Sequence, residues 1–317
     1  MSMTSTVAQR DEAASTENIV APGLASRRAI GGWIPRALVL PALIVAIVLT
    51  QLPFLVTIYY SFRDWDLLRP GEQSFAGWDN YVTVFTSGEL FASLGATVTI
   101  TGSSVVLSIV FGLLIALLLD RKFRGRGLAR TLLITPFLMM PAAAALVWKW
   151  VMFDSNSGIV NWVLSVVGIS PVAWNTEVPV LTIITVLTWQ YTPFMMLIIL
   201  AGLQSQDGEI VEAAQVDGAG PVRIFRALTL PHLRPYIELS ALLGSIFMLQ
   251  VFDPVHIMTK GTGGTKTLPY LLYERAFIGL NIGEAAAYGV ITVILTIIVA
   301  SIALRMLFTI FKKEVGS

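Results

Sequence analysis

The chain has 317 residues, of which 55% are hydrophobic and only 13% are charged, and its mean hydropathy is +0.75. This balance excludes an ordinary soluble domain and indicates a polytopic membrane protein. The net charge of +1 gives no electrostatic reason to expect nucleic-acid binding, and the absence of Cys with only two His argues against disulfides and metal sites.

The N-terminal segment, residues 1–36, is polar and without periodicity, and it is predicted to be a disordered cytoplasmic tail. The apolar run after Arg36 continues without charge to Tyr60, which is too long for the apolar core of a signal peptide. We therefore predict three regions: this tail, a membrane domain over 37–311, and a cytoplasmic C-terminal tail over 312–317.

Six stretches are apolar over a length that can span a bilayer, which takes roughly 20 residues of helix. They lie near 37–61, 92–119, 131–153, 178–203, 236–258 and 285–310. The predicted fold class is therefore all-α, with six transmembrane helices. The fifth stretch is the weakest, because Glu238 and Asp253 bracket its uncharged part.

The basic residues predict the orientation of the chain, since they favour the cytoplasmic side of a membrane. With the N-terminus inside, most of the 21 Lys and Arg residues fall in the two tails and in the loops after the second and fourth stretches. We therefore expect a multi-pass protein of a prokaryotic cell membrane, with both termini and the loop over 204–235 in the cytoplasm.

Three loops are predicted on the outer side. The first, 62–89, contains Trp and Tyr residues that fit an interfacial aromatic belt. The second, 155–170, has apolar residues at helical spacing and is predicted to form a surface helix. The third, 260–284, begins with a Gly- and Thr-rich turn that is superficially similar to a phosphate-binding P-loop. That similarity fails because Thr265 precedes the Lys, so we expect ATP and Mg²⁺ to bind in a partner ATPase and no cofactor or metal here.

A polar segment over 212–235 interrupts the apolar pattern and is predicted to contain two short helices joined by a tight turn. Asp207 is the expected N-cap of the first helix, Gly218 permits the turn, and Pro221 starts the second helix well. Pro231 and Pro235 are expected to end the second helix. From the residues alone, a simple helical anchor between membrane spans is about as good an explanation as a docking element, and a DNA-reading helix-turn-helix is very improbable.

Polar and aromatic residues inside the predicted spans are candidates for a substrate path, because amides and carboxylates bind hydroxyl groups and aromatic faces contact the C–H surface of a sugar. The candidates are Trp189, Gln190, Tyr191, Gln250, Phe252 and Asp253. A helix-packing role is nearly as probable for this set. For Lys149 and Glu238, near the predicted membrane edges, we expect hydrogen bonding between helices or snorkelling. No catalytic constellation is recognisable.

The polar segment resembles the coupling loop of ABC importer permeases, in which a short helix sits in a groove of the ATPase subunit. The resemblance rests on Glu-Ala-Ala at 212–214, Asp-Gly-Ala at 217–219 and Leu-Pro at 230–231. Further landmarks of the carbohydrate-uptake branch, with sorbitol/mannitol-type and oligosaccharide importers most similar, lie at 75–81, 158–162, 189–194, 270–277 and 283–288. Two features depart from the pattern: a Pro-containing lead-in is missing at 206–209, and Gly-Gly-Pro is missing at 259–265.

This resemblance implies a heterodimer with a second permease, a pair of cytoplasmic ATPase subunits and an extracellular or periplasmic substrate-binding protein. It also implies which residues contact the ATPase and which close the motif structurally. The contact residues would be Glu212, Ala213, Ala214, Asp217 and Gly218, and the closing residues Leu230 and Pro231.

The sequence therefore predicts a permease subunit of an ATP-driven importer for a neutral sugar or sugar alcohol. A phosphorylated substrate is less favoured, because the predicted spans offer no Arg cluster to hold a phosphate. The alternative is a secondary transporter or channel for a small polar solute that works alone, which predicts inverted repeats and embedded ion-coupling charges. A membrane-bound enzyme is a third and weaker hypothesis.

Overall fold

The computed structural model describes residues 33–314 except 70 and 72, with side chains over 39–298 and at 301. The helices are α1 (Trp33–Ser61), α2 (Asp79–Thr86), α3 (Glu89–Asp120), α4 (Arg126–Leu138), α5 (Pro141–Val147), α6 (Ile159–Val166), α7 (Trp174–Glu177), α8 (Pro179–Gln204), α9 (Gly208–Val216), α10 (Pro221–Ile224), α11 (Leu230–Leu249), α12 (Leu268–Tyr273) and α13 (Ile282–Glu314). Four π-helical segments occur at Trp148–Met152, Phe225–Thr229, Val255–Thr259 and Glu274–Ile278. An antiparallel hairpin of β1 (Arg63–Trp65) and β2 (Gln73–Phe75) is a small departure from the predicted all-α class.

The chain divides into two units between Leu55 and Val56. The described part of the first unit is the apolar helix α1 up to Leu55, and the second unit contains the other elements. The predicted N-terminal tail over 1–36 lies outside the described residues as far as 32, and the predicted C-terminal tail over 312–317 lies outside them from 315. The boundaries of the three predicted regions stay predictions.

Within the described residues, three helices are long and apolar enough to cross a membrane: Val39–Ser61 of α1, then α3 and α8. They correspond to the first, second and fourth predicted spans. The pair formed by α4 and α5 gives a fourth candidate, and the apolar part of α13, Ile282–Ile298, is shorter. The predicted count of six spans therefore stays a prediction.

The third predicted span, 131–153, is not one continuous helix. It is bent by 99° between α4 and α5. Met139 and Met140 have extended backbones at the bend, which is the conformation favoured directly before Pro141. The freed carbonyl of Met139 accepts a hydrogen bond of 3.1 Å from the Gln190 side chain, so a helix 51 residues away stabilises the break.

The fifth predicted span, 236–258, is also interrupted. Helix α11 ends at Leu249, and the chain is not helical at Val251 and Phe252 before a π-helical segment begins at Val255. Pro254 has no N–H to donate to the carbonyl of Gln250, so the backbone hydrogen-bond ladder cannot continue past this point.

Close packing of α3 against α8 forms the centre of the second unit. A Cβ added to Gly112 would lie 2.9 Å from the backbone nitrogen of Met196, so only glycine allows this approach. The buried face of α3 also carries small polar residues, two of which bond neighbouring helices. Ser108 Oγ donates to the Thr188 carbonyl at 3.5 Å, and Thr101 Oγ1 donates to the Met248 carbonyl at 3.3 Å. α3 therefore contacts both α8 and α11.

At the α8 end nearest Pro179, called here the far end, two buried asparagines order the loops. Asn80 donates to the carbonyls of Ser61 and Arg63, each at 2.9 Å. The Asn161 side chain donates to carbonyls including that of Val172, and its oxygen accepts from the Val172 N–H and the Trp174 indole. These contacts place α6 on the surface with Ile159, Trp162, Val163 and Val166 exposed, as the sequence predicts.

Ionic contacts also join elements at the far end. Arg275 lies 2.7 Å from the carboxylate of Glu89 at the start of α3, and 3.5 Å from that of Glu284 in α13. In the loop before α6, the Asp154 carboxylate accepts hydrogen bonds from the backbone and side chain of Ser157 and the backbone of Asn156, which hold its pKa below its usual value. The far end is therefore well ordered by polar contacts.

Candidate coupling surface and substrate path

Helix α9 has defined capping interactions at both ends. The carboxylate of Asp207 accepts the Glu209 N–H at 3.0 Å, which confirms the predicted N-cap. At the other end the Gly218 N–H bonds the Gln215 carbonyl and the Ala219 N–H bonds the Ala214 carbonyl. This pair of bonds is a Schellman motif, and it requires the positive φ of +81° at Gly218.

The second helix of the polar segment starts at Pro221, as predicted, but it does not end at Pro231 or Pro235. α10, the π-helical segment Phe225–Thr229 and α11 follow one another without a break. Pro231 lacks an N–H and would clash with the carbonyl four residues earlier in a regular helix. The wider π-helical turn lies at that position and accommodates Pro231, and Pro235 lies inside α11.

The surface around α9 is open. No residue of α9 is buried, and Glu212, Ala213, Asp217 and Gly218 are exposed, whereas Ala214 is half-buried. Leu230 and Pro231 are exposed at the start of α11. Three large apolar side chains also point outward: Ile210 is 55% exposed, Val216 88% and Val222 69%. A protruding helix with exposed apolar and small residues is typical of an interaction surface.

Four residues form what we call the base latch, which joins the end of α8 to the start of α11. Ser205 Oγ lies 2.8 Å from the Tyr236 hydroxyl and 3.1 Å from His232 Nε2. His232 Nε2 also lies 3.1 Å from the Gly202 carbonyl oxygen, so this nitrogen carries a proton and donates it. The base latch connects the two ends of the segment that carries α9, and sequence reasoning missed it.

The three consecutive candidates on α8 point in different directions, since neighbours on a helix are about 100° apart. Trp189 lies edge-on to Trp148, with ring centroids 5.5 Å apart, and lines an apolar cavity between α3, α4 and α8. Gln190 is buried and bonds Met139, and its side-chain oxygen has no partner among the described residues. Tyr191 packs against Phe137, with ring centroids 6.1 Å apart.

The other three candidates lie at the break after α11. Gln250 is exposed, and Phe252 and Asp253 are half-buried. The carboxylate of Asp253 is near enough to Tyr191 for an electrostatic interaction. Tyr191 and Asp253 therefore interact electrostatically, and neither lines the cavity that Trp189 lines.

Phe252 belongs to an aromatic cluster that sequence reasoning did not assemble. Its ring lies 5.1 Å from His256, 5.0 Å from Tyr273 and 6.2 Å from Tyr270, measured between centroids. Burial raises the pKa of the Tyr270 phenol, and the Glu274 carboxylate adds to this rise. The aromatic run 270–277 was the available signal, but only the fold places it against the residues after α11.

Lys149 and Glu238 make local contacts. Lys149 Nζ donates to the Ile257 carbonyl at 2.6 Å, which is hydrogen bonding between helical segments as expected. Glu238 pairs with Arg234 one turn away at 2.9 Å. Within the described part of the chain, no three His, Asp or Glu side chains converge as a metal site.

Comparison with known proteins gives a family match. Residues 108–316 match the model of the binding-protein-dependent transport system inner membrane component. A probable ABC transporter permease protein of Sinorhizobium fredii is 37% identical over 85% of this chain and 88% of its own length. The trehalose/maltose transport system permease protein of Thermococcus litoralis is 34% identical over 88% of this chain and 92% of its own length.

A solved structure supports the fold. One chain of a bacterial ABC transporter involved in the import of the acidic polysaccharide alginate superposes with a TM-score of 0.74 at 23% identity. The match covers 88% of this chain and 96% of that chain. At this identity the similarity concerns the fold.

Proposed function

The chain belongs to the family of binding-protein-dependent transport system inner membrane components, the permease subunits of ABC importers, and we propose that it carries a neutral sugar or sugar alcohol into the cell. It is a transport subunit and not an enzyme. We propose further that it pairs with a second permease and two ATPase subunits, and that a substrate-binding protein delivers the substrate. The single observation that carries the coupling proposal is the open surface of α9, capped at both ends and joined at its base by the latch.

We propose that α9 docks into a groove of an ATPase subunit on the cytoplasmic side, with both termini of the chain on that side. The exposed Ala213 and Gly218 allow close backbone approach, and Glu212 offers a charge to the partner. The base latch would transmit a movement of α9 to α8 and α11 together. ATP binding in the partner could then bias the permease towards one of two states, as linkage requires.

The substrate proposal rests on side-chain chemistry. Tyr191 on α8 offers a hydroxyl, and Asp253 and Phe252 at the break after α11 offer a carboxylate and an aromatic face, which suits a polyhydroxylated ligand. Helices α3 and α8 contain no Lys or Arg to hold a phosphate. The Thermococcus litoralis relative is named for trehalose and maltose, which are neutral sugars. Gln190 and Trp189 would act by supporting the neighbouring helices.

A charge reversal tests the coupling surface. In the full complex, co-expressed with its partner subunits and reconstituted in lipid, we expect Glu212→Lys to weaken ATPase-subunit binding about tenfold. Glu177→Lys is the matched control, because Glu177 is exposed at the far end. Equal binding by the two variants would contradict the role of α9. Solute transport by this chain alone without ATP would favour the stand-alone transporter instead.

A second pair of variants tests the substrate path. We expect Asp253→Ala to raise the KM for sugar uptake by at least about tenfold, since hydrogen bonds to a charged group contribute roughly 1.5–3 kcal/mol. Trp189→Phe should leave KM unchanged, because Trp189 lines a different, apolar cavity. An unchanged KM in Asp253→Ala would remove Asp253 from the path.

A further inference from the structure

Two guanidinium groups converge at the end of the helices opposite the far end. With the Gln204 amide in the orientation that satisfies its neighbours, its oxygen accepts from Arg126 at 2.7 Å and from Arg130 at 2.9 Å. Within the described residues, neither Arg has a carboxylate within ion-pair distance, and Arg130 Nε is buried without a partner. Two like charges at one neutral acceptor repel each other, and an anion bound between them would relieve this repulsion.

An apolar groove begins one helical turn from this pair. Leu133 lies on the same face of α4 as Arg126 and Arg130, since the spacing is four and then three residues. It lines a cavity of about 510 Å³ between α3, α4 and α8. On the α3 side the lining runs from Ile115 to Leu107, roughly 12 Å along the helix axis.

The lining of the groove is almost entirely hydrocarbon. Its side chains are mainly those of Leu, Ile, Phe, Pro, Met and Trp residues, with three Thr from α8. Leu107, Phe111 and Leu181 are 38%, 46% and 52% exposed, so the groove is open at its side. A sugar would find few hydrogen-bond partners there, which separates this groove from the proposed substrate path.

We propose that this groove binds one anionic phospholipid, with its phosphate at Arg126 and Arg130 and an acyl chain along Leu133, Ile115 and Leu107. Only an amphiphile places an anion directly next to hydrocarbon, which is the arrangement that the side chains offer. Basic pockets between membrane helices bind anionic headgroups in this way. The lipid would hold α4 against the end of α8, directly before Ser205 of the base latch. The site goes beyond the transport role and does not depend on the substrate.

Removal of the two cations is the direct test. In the complete complex in detergent, added phosphatidylglycerol should raise the thermal midpoint, and phosphatidylcholine should not. In Arg126→Gln/Arg130→Gln the apparent lipid affinity should fall about 30-fold. Each basic residue near an anionic lipid contributes roughly 1 kcal/mol, which is about fivefold in affinity. The matched control is Arg121→Gln/Arg124→Gln, which removes the same charge from exposed residues and should keep the wild-type affinity. Equal losses in both double variants would overturn the site in favour of general surface charge.

The groove and the source of the anion need separate tests. Native mass spectrometry of the wild-type complex should detect one retained phosphatidylglycerol molecule. Leu107→Trp fills the groove and leaves both Arg residues intact, so this variant should not retain the lipid. Retention unchanged by Leu107→Trp would overturn the acyl-chain site. Glycerol phosphate and inorganic phosphate should not shift the midpoint. A full shift with either would mean a free-anion site, and dissociation of the complex in Arg126→Gln/Arg130→Gln without any lipid response would mean a protein contact.

Discussion

The imidazole Nε2 of His232 lies 3.1 Å from the carbonyl oxygen of Gly202, across the base of the segment that carries α9. Gly202 is in the last turn of α8, where its carbonyl also accepts the Ser205 N–H at 3.2 Å, and His232 is in the first turn of α11. The hydroxyls of Ser205 and Tyr236 join the same contact. Two residues that are 30 positions apart in sequence therefore join α8 to α11 beside α9.

A methyl group at Gly202 should disturb this latch. The Cβ of Gly202→Ala would lie 2.6 Å from the Tyr236 ring, so we expect a loss of roughly 1–3 kcal/mol in stability from overpacking and weaker coupling of ATP hydrolysis to transport. The measurements are the thermal midpoint of the complex and the ATP hydrolysed per substrate imported. Gly95→Ala, on α3 with open space around it, is the control. Stability equal to that control would contradict the close packing.

The turn after α9 should depend on glycine at 218. Gly218→Ala forces a side chain into φ of +81°, which costs roughly 1–2 kcal/mol. This strain should disorder the end of α9 in the variant, so we expect about tenfold weaker ATPase-subunit binding. Gly208→Ala, at the start of the same helix with ordinary φ and open space, should bind as wild type or better. Titration of ATPase subunits onto the reconstituted permease gives both affinities. Similar affinities would show that the Schellman turn is not needed for docking.

The loop before α7 should depend on Asn161. Asn161→Ala leaves the Val172 N–H and the Trp174 indole without their acceptor, and since both residues are half-buried we expect a loss of roughly 1–3 kcal/mol in total. We expect a lower thermal midpoint of the complex and increased proteolysis of the loop. Asn156→Ala removes the same side chain from an exposed position in the loop before α6 and should change neither. Matching midpoints for the two variants would rule out this role.

Lys149 should contribute to stability by joining two π-helical segments. Lys149→Met keeps the length of the side chain but leaves the Ile257 carbonyl without its donor, so we expect a loss of roughly 1–3 kcal/mol. Lys122→Met, at an exposed position between α3 and α4, is the charge-matched control. Denaturation of the purified complex measures the stability of both variants. A loss of transport with unchanged stability would instead place Lys149 in the substrate path.

Local features were predictable because each depends on residues close in sequence. The N-cap at Asp207, the turn at Gly218 and the start at Pro221 follow from conformational preferences of single residues, and the surface helix over 159–166 follows from apolar spacing. The family followed from motifs in the same way. The third and fifth spans were wrongly predicted to be continuous helices, because apolar composition does not show where a helix is interrupted.

The bend in the third span also depends on a distant partner. An extended Met139 is tolerated inside apolar surroundings because Gln190, on another helix, satisfies its carbonyl. Pro231 and Pro235 were expected to end a helix, but Pro231 follows a π-helical turn and Pro235 lies inside α11. Pro141 signals the bend in the third span locally, but no residue near it in sequence predicts the hydrogen bond from Gln190.

The sequence by itself determined the membrane class, the family and the capped turn of the coupling segment, because composition and local backbone preferences act over a few residues. Only the tertiary structure decided that Tyr191 interacts with Asp253 and does not line the cavity of Trp189, that Phe252 joins an aromatic cluster, and that Arg126 and Arg130 share Gln204. The physical reason is that residues next to one another on a helix point in different directions, so their roles depend on which helix packs against each face.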